Sequence, residues 1–263
     1  MTPREEWHLP TQHIGRRVLV FDRVGSTNSV ATSLASDRGN AGVVVLAHEQ
    51  TAGRGQYGRH WQCPRGAGVL LSILLFPPPE LSRPAILTAW AAVSVCETVR
   101  QLTGVPARIK WPNDVLLRGK KVCGILIEQG LGTVAGIGLN VNQPPEAFAA
   151  PGLTHGSSLC QFTSDLLDCT SVAKRLIAIL DDEHERLRQG DLDTLEACWK
   201  WNVGLLGRHV AAECADRTVC GRLLDLTFNG VLLESASGEM LSLQPEIVKH
   251  LELSGNNSAN AGS

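Results

Sequence analysis

The chain has 263 residues, 43% of them hydrophobic and 19% charged, which suits one large domain or a domain with a small companion and is too apolar for a disordered polymer. With 24 Lys+Arg against 26 Asp+Glu the formal charge is −2, which argues against a protein whose main work is to coat nucleic acid or an anionic membrane. The longest apolar runs, residues 43–47 and 69–76, fall short of the about 20 needed to cross a bilayer, and the acidic N-terminus has no apolar signal core. The expected location is therefore the cytoplasm, with no membrane partner.

Residues 1–14 read as a loose leader and 17–22 as a strand. Ser26-Thr27-Asn28 offers capping side chains to a short helix ending near Asp37-Arg38-Gly39. The β-branched run 43–47 predicts a strand buried on both faces. Residues 51–68 hold five glycines and predict an extended loop, followed by a buried strand over 69–76 that Pro77-Pro78-Pro79 stops. Ser82-Arg83-Pro84 starts a helix to about Thr103, with proline in its first turn. Residues 108–111 read as a strand, and 115–117 and 122–128 as a hairpin around Arg118-Gly119-Lys120-Lys121. A strand over 133–141 and helices around 172–180 and 192–201 follow. After Arg208 the texture changes to short strands split by Asn229-Gly230 and Ser237-Gly238, a small all-β unit expected to be a barrel. The expected division is a leader over 1–14, a main domain over 15–205, the small unit over 206–253 and a disordered tail over 254–263. The eight cysteines form no Cys-x-x-Cys pair and read as small buried hydrophobes with one exposed thiol.

Gly53-Arg54-Gly55-Gln56-Tyr57-Gly58 fits the Gly-x-Gly-x-x-Gly pattern, but no helix start follows it, and a proline run stands where a dinucleotide fold needs an acidic residue. Nor does a Gly-Lys-Ser/Thr close it as a phosphate loop. The segment still lets backbone N–H groups turn towards an anion, and Arg54 and Arg59 add guanidinium forks. By itself it fits a flexible surface loop with solvated arginines better than a ligand loop. A second cluster, Arg108-Ile109-Lys110-Trp111-Pro112-Asn113-Asp114, reads as a strand ending in a rigid turn. Lys121 then stands on a strand three residues before Gly124, where a buried lysine needs an anionic partner. Gly136-Ile137-Gly138-Leu139-Asn140-Val141-Asn142 puts two glycines inside a strand, a sign of close approach by a ligand or another chain segment. Trp61 and Trp111 are open to a core or a ligand role, and Gln50 to a ligand role or the end of its strand.

In this order the segments resemble the biotin–protein ligases. The resemblance rests on Ser26-Thr27-Asn28, on residues 49–61 (Glu-Gln-Thr-Ala-Gly-Arg-Gly-Gln-Tyr-Gly-Arg-His-Trp), on Lys110-Trp111-Pro112-Asn113-Asp114, on residues 121–128 and 136–142, and more weakly on Gly156-Ser157-Ser158-Leu159. It implies an α+β fold: a mixed, largely antiparallel sheet with helices packed on it, of the class II synthetase-like kind, plus a small C-terminal β-barrel. It implies two steps, formation of biotinyl-5′-AMP from biotin and ATP and then transfer of the biotinyl group to a lysine of a biotin carboxyl carrier domain. It further implies catalytic roles for Lys121, Arg54 and Arg59. Biotin contacts are implied for Ser26, Thr27, Asn28, Gln50, Gly53, Arg54, Gly55, Gln56, Lys121, Gly124, Gly136 and Gly138. ATP contacts are implied for Arg54, Gln56, Arg59, Trp61, Asn113, Asp114 and Asn140, with Asp114 helping to position Mg²⁺. ATP and biotin are expected as substrates, with no tightly bound prosthetic group, and a homodimer is compatible with the resemblance.

Two departures qualify it. The family loop often carries arginine where this chain has Gln56, which predicts weaker retention of the adenylate. Some relatives carry an N-terminal helix-turn-helix; the 16 or so residues before the first strand are too few for one, so no operator DNA partner is expected. The rival readings are a lipoate or octanoate ligase, for which an Arg-Arg-x-Gly-Gly-Gly-type stretch is missing, a non-catalytic binder of biotin or an adenylate, and a pure DNA-binding regulator. Although the chain is near neutral, residues 53–65 and 106–121 hold eight Arg/Lys and one Asp, where a triphosphate would sit.

Overall fold

The computed structural model describes residues 2–150 and 152–255. Two sheets organise it. The larger has eight strands: β1 (Glu5–Trp7), β2 (Val18–Phe21), β3 (Val44–Ala47), β4 (Gly68–Leu75), β5 (Ala107–Lys110), β6 (Asp114–Leu117), β7 (Lys120–Gln129) and β8 (Thr133–Asn140), in the order β1-β2-β3-β4-β8-β7-β6-β5. β2 and β3 run parallel and the other neighbours antiparallel, so the sheet is mixed. The apolar runs expected as doubly buried strands are so: every residue of β3 and β4 is buried. The β6–β7 hairpin turns on Arg118 and Gly119, both at positive φ (47° and 79°), the geometry a two-residue hairpin loop favours.

Helix α1 (Thr27–Ser33) lies on one face of this sheet. Helices α2 (Pro84–Thr103), α3 (Cys169–Arg188) and α4 (Leu192–Val203) form a layer on the other. α2 ends at Gly104, whose φ of 69° is the left-handed position that stops a helix at little cost. Its Trp90 is fully buried, and the indole Nε1 donates to Leu180 O at 3.1 Å, tying α2 to α3. Among the described residues no helix is long and apolar enough to cross a membrane.

The C-terminal unit is a five-stranded antiparallel sheet of β9 (His209–Cys214), β10 (Thr218–Leu226), β11 (Val231–Glu234), β12 (Met240–Leu243) and β13 (Val248–Leu253), in the order β12-β11-β10-β9-β13. It is joined to the rest by buried and charged contacts. Trp111 Nε1 donates to Val248 O at 2.7 Å, Trp199 stacks on Phe228 at 5.1 Å between ring centroids, and Lys110 Nζ lies 2.6 Å from Glu252 Oε1.

Three local expectations differ. Within the supposed loose leader, Glu5–Trp7 pairs with β2, and the buried Asp181 carboxylate accepts the backbone N–H groups of Gln12, His13 and Ile14 at 2.6–2.8 Å. The first helix stops at Ser33, and Asp37 instead caps a separate 3₁₀ turn through Gly39 N. Two thiols are exposed, Cys198 and Cys220, rather than one. Of the expected tail, Ser254 N donates to His209 O; residues 256–263 lie outside the described residues.

Candidate active site

The site is built on the face of β4, β7 and β8 that the large helices leave uncovered. Strand alternation puts Gly136, Gly138 and Asn140 of β8 on that face and Ala135, Ile137 and Leu139 in the core. In β7, plain alternation from Gly124 would turn Lys121 into the core. A β-bulge prevents this: Leu116 pairs with Lys121 while Val115 pairs with Cys123, so Val122 is the extra residue. Val122 and Cys123 are both buried, and Lys121 joins Gly124 on the open face, its Cε 3.4 Å from where a Cβ on Gly124 would stand. There Lys121 Nζ finds the anionic partner its setting requires, Asp114 Oδ1 at 2.7 Å.

The glycine-rich segment is a folded tongue rather than an extended loop. Gly55 N donates to Arg59 O and Trp61 N to Gly53 O, closing a narrow antiparallel turn with Gln56–Gly58 at its tip. Tyr57 stands at the tip with φ 56° and is 61% exposed. The tongue folds Trp61 back onto the sheet, and the two glycines make that possible. A Cβ on Gly138 would stand 2.4 Å from the indole and one on Gly124 2.8 Å. The Trp61 Nε1 is buried without a hydrogen-bond partner among the described residues, and Lys121 Nζ lies 5.5 Å from the ring centroid. Trp61 therefore sits in the glycine cradle and lines the cleft, where the sequence left it open to a core or a ligand role and the resemblance implied the nucleotide side.

At the opposite end is a neutral polar cluster. Ser26 is in the N-cap position of α1 but makes no capping bond, and the next two side chains turn into the sheet instead. Thr27 N and Oγ1 donate to Gln50 Oε1 at 2.7 and 3.0 Å. Ser72 Oγ of β4 reaches both Thr27 Oγ1 and Asn28 Oδ1. Asn28 Nδ2 donates to Glu128 Oε2 at 2.7 Å. A Cβ on Gly136 would be 2.2 Å from Asn28 Oδ1, so this glycine makes room for Asn28 while itself lining the cleft.

Arg54 is not free to meet a phosphate in this arrangement. Its Nε and Nη2 fork onto Glu128 at 3.1 and 2.8 Å, and Nη1 donates to Ser29 Oγ at 2.7 Å. Burial would raise the Glu128 carboxyl, but the hydrogen bonds from Arg54 and Asn28 outweigh it and hold the group below the usual carboxylate range. Arg59 is exposed on the tongue, and Gly53, Gly55 and Gln56 line the cleft beside it.

The expected nucleotide residues are partly committed to structure. Asn113 Nδ2 donates to Ile125 O at 2.6 Å and clamps the hairpin. Asn140 Nδ2 donates to Ser157 O and its Oδ1 accepts from Gln143 Nε2 at 2.8 Å. That chain fixes the Gln143 amide, whose Oε1 is buried at the cleft wall without a partner among the described residues. Asp114, expected to help position Mg²⁺, is engaged by Lys121, and no group of three or more His, Cys, Asp or Glu among the described residues could hold a metal ion. Trp111 is 4% exposed and anchored to the C-terminal sheet, and it also borders the cleft.

Ser26, Thr27, Asn28, Gln50, the tongue, Lys121 and Asn140 line one cleft of about 1170 Å³, to which the C-terminal sheet adds Glu213, Thr218, His250 and Glu252. Cys63 also lines it, but burial pushes its thiol up to about 12, so it is no nucleophile at neutral pH. Sequence reasoning missed Ser72, Glu128 in this role, and Gln143. Only Glu128 left a trace there, as the acidic end of the apolar stretch 122–127.

Comparison with known proteins gives a consistent picture. The biotin/lipoate A/B protein ligase family matches residues 20–142. The biotin–[acetyl-CoA-carboxylase] ligase of Mycobacterium tuberculosis is 32% identical over 264 residues, covering 95% of this chain and 96% of its own. That of Paracoccus denitrificans is 41% identical over 227 residues, covering 80% and 91%. Among solved structures, a biotin protein ligase from Aquifex aeolicus in complex with biotin and ATP superposes with a TM-score of 0.72 at 25% identity, covering 90% of this chain and 97% of that one.

Proposed function

The chain belongs to the biotin/lipoate A/B protein ligase family, and on that premise we propose that it attaches biotin to one lysine of a biotin carboxyl carrier domain, using ATP and passing through biotinyl-5′-AMP. The observation that carries this reading is a single cleft with a neutral hydrogen-bonding end and a cationic end. Biotin has the same polarity, a neutral urea at one end and a carboxylate at the other. Hydroxyl and amide groups suit a urea, which both donates and accepts. Lipoate offers no urea to Thr27, Asn28 and Gln50, and a site built for hydrogen bonds discriminates strongly against a ligand that lacks them.

In the first step a biotin carboxylate oxygen attacks the α-phosphorus of ATP, the P–O bond to pyrophosphate breaks, and pyrophosphate leaves. Charge builds on phosphoryl oxygens, so fixed cations and backbone N–H groups supply the stabilisation. Lys121, oriented by Asp114, stands at the end where the carboxylate would lie, and Arg59 of the tongue supplies a second cation. In the second step a neutral carrier lysine amine attacks the biotinyl carbonyl carbon, and AMP leaves with the bonding pair. Neither step needs a side-chain nucleophile. Mg²⁺ would be carried mainly by the ATP phosphates, with the Asp114 carboxylate beside Lys121 to help position it. Residues 15–205 carry the chemistry, 206–253 complete one wall of the cleft, and the dependence on ATP supports a cytoplasmic location.

The test is exchange of labelled pyrophosphate into ATP without a carrier. Exchange that depends on biotin is expected. Exchange supported by lipoate but not biotin would favour the rival ligase, and none with either would reject the adenylate.

A further inference from the structure

Glu128 takes no part in the chemical steps proposed above, yet it is where the tongue and the polar end of the cleft meet. Its carboxylate accepts three hydrogen bonds, two from Arg54 and one from Asn28, and these residues reach it from 74 and 100 positions away. An ionised carboxylate can only accept. Asn28 must therefore turn its NH₂ group to Glu128 and its oxygen to Ser72, and Gly136 leaves room for that one pose. With one N–H and one lone pair used, Asn28 keeps one of each for a ligand. The same carboxylate draws down Arg54, and with it the tongue that carries Trp61.

We infer that Glu128 is a positioning residue for ligand recognition: it closes the glycine tongue through Arg54 and sets the orientation in which the Asn28 amide reads the urea. The inference rests on the proposed biotin reading and assigns Arg54 to closure rather than to phosphate. Glu128→Gln keeps the size of the side chain but removes both effects, because a neutral amide pairs weakly with Arg54 and accepts either face of Asn28. Loss of a charge-assisted hydrogen bond makes the expected rise in biotin KM about tenfold or more, with kcat and the KM for ATP unchanged. Arg54→Gln leaves Asn28 oriented and should speed tryptic cleavage after Arg59 without the full rise in biotin KM.

The experiment measures biotin KM and kcat in carrier biotinylation, and native-state cleavage after Arg59 by trypsin, for wild type and both variants. Raised biotin KM and faster cleavage in Glu128→Gln support the inference. A wild-type KM, a wild-type cleavage rate, or a fall in kcat with KM unchanged overturns it. If the wild-type protein transfers no biotin, the functional reading fails instead, and the cleavage rates of Glu128→Gln and Arg54→Gln still decide whether the tongue is held as described.

Discussion

The two faces of strands β4, β7 and β8 differ as sharply as any two regions of the molecule. One carries Val69, Leu71, Ile73, Cys123, Ile125, Ala135, Ile137 and Leu139, all within the apolar core that α2 and its neighbours cover. The other carries Ser72, Lys121, Gly124, Glu128, Gly136, Gly138 and Asn140, residues that pack poorly by themselves and are held by hydrogen bonds and ion pairs. The same backbone serves both because side chains alternate along a strand, and one bulge at Val122 corrects the phase where a lysine is needed. The larger core and the cleft are thereby set on opposite sides of one sheet, with a smaller apolar cluster of Leu74 and Val134 under α1 on the cleft's side.

That separation can be broken by substitution. Trp90→Ala, on the covered face, should cost about 3–5 kcal/mol of unfolding free energy by opening a cavity. Biotin KM at a temperature where the variant is folded should stay close to wild type; a large rise would mean the faces are coupled. Lys121→Met, on the open face, should lower biotinylation kcat by about 10²–10³, the usual effect of removing one preorganised charge donor, with little change in melting temperature. Gly138→Ala places a methyl group against the Trp61 indole, an overpacking cost of about 1–3 kcal/mol. It should weaken biotin binding in a calorimetric titration more than it lowers the melting temperature.

A smaller effect is set by pH on the covered side. Burial, with His13 and Arg188 nearby, lowers the His184 pKa from 6.5 to about 4. Between these values the unfolded chain binds a proton that the native protein refuses, so stability falls as pH drops from 6.5 towards 4 and is fully present above 6.5. His184→Gln should flatten that part of the curve in chemical denaturation at several pH values; an unchanged slope would place the effect elsewhere. The smallest is at the tongue tip. Gln56→Arg should slow release of biotinyl-AMP from the protein, and equal release rates would show that position 56 does not hold the adenylate.

The covered face was legible because it needs only short-range patterns. Continuous apolar runs announced β3 and β4, and Pro84 with its helical spacing announced α2. β1 was not legible, because Glu5-Glu6-Trp7 shows no apolar alternation and is held by partners such as Arg17, which pairs with Glu6. On the open face the chemistry-bearing residues could be named, but not their pairings. No local pattern shows that Asp114 pairs with Lys121 across the hairpin. Gly136 lines the cleft, but nothing in its own segment marks the Asn28 side chain that it makes room for. Ser72 sits in a strand otherwise full of aliphatic residues, and its partners Thr27 and Asn28 lie 45 and 44 positions away, where no local pattern reaches.

The central claim is tested most directly by mixing the protein with MgATP and a biotin carboxyl carrier domain, with either biotin or lipoate, and weighing the carrier by mass spectrometry. The account predicts a mass gain of one biotinyl group on a single lysine and no gain with lipoate. An unmodified carrier, or one modified with lipoate in preference to biotin, would contradict it.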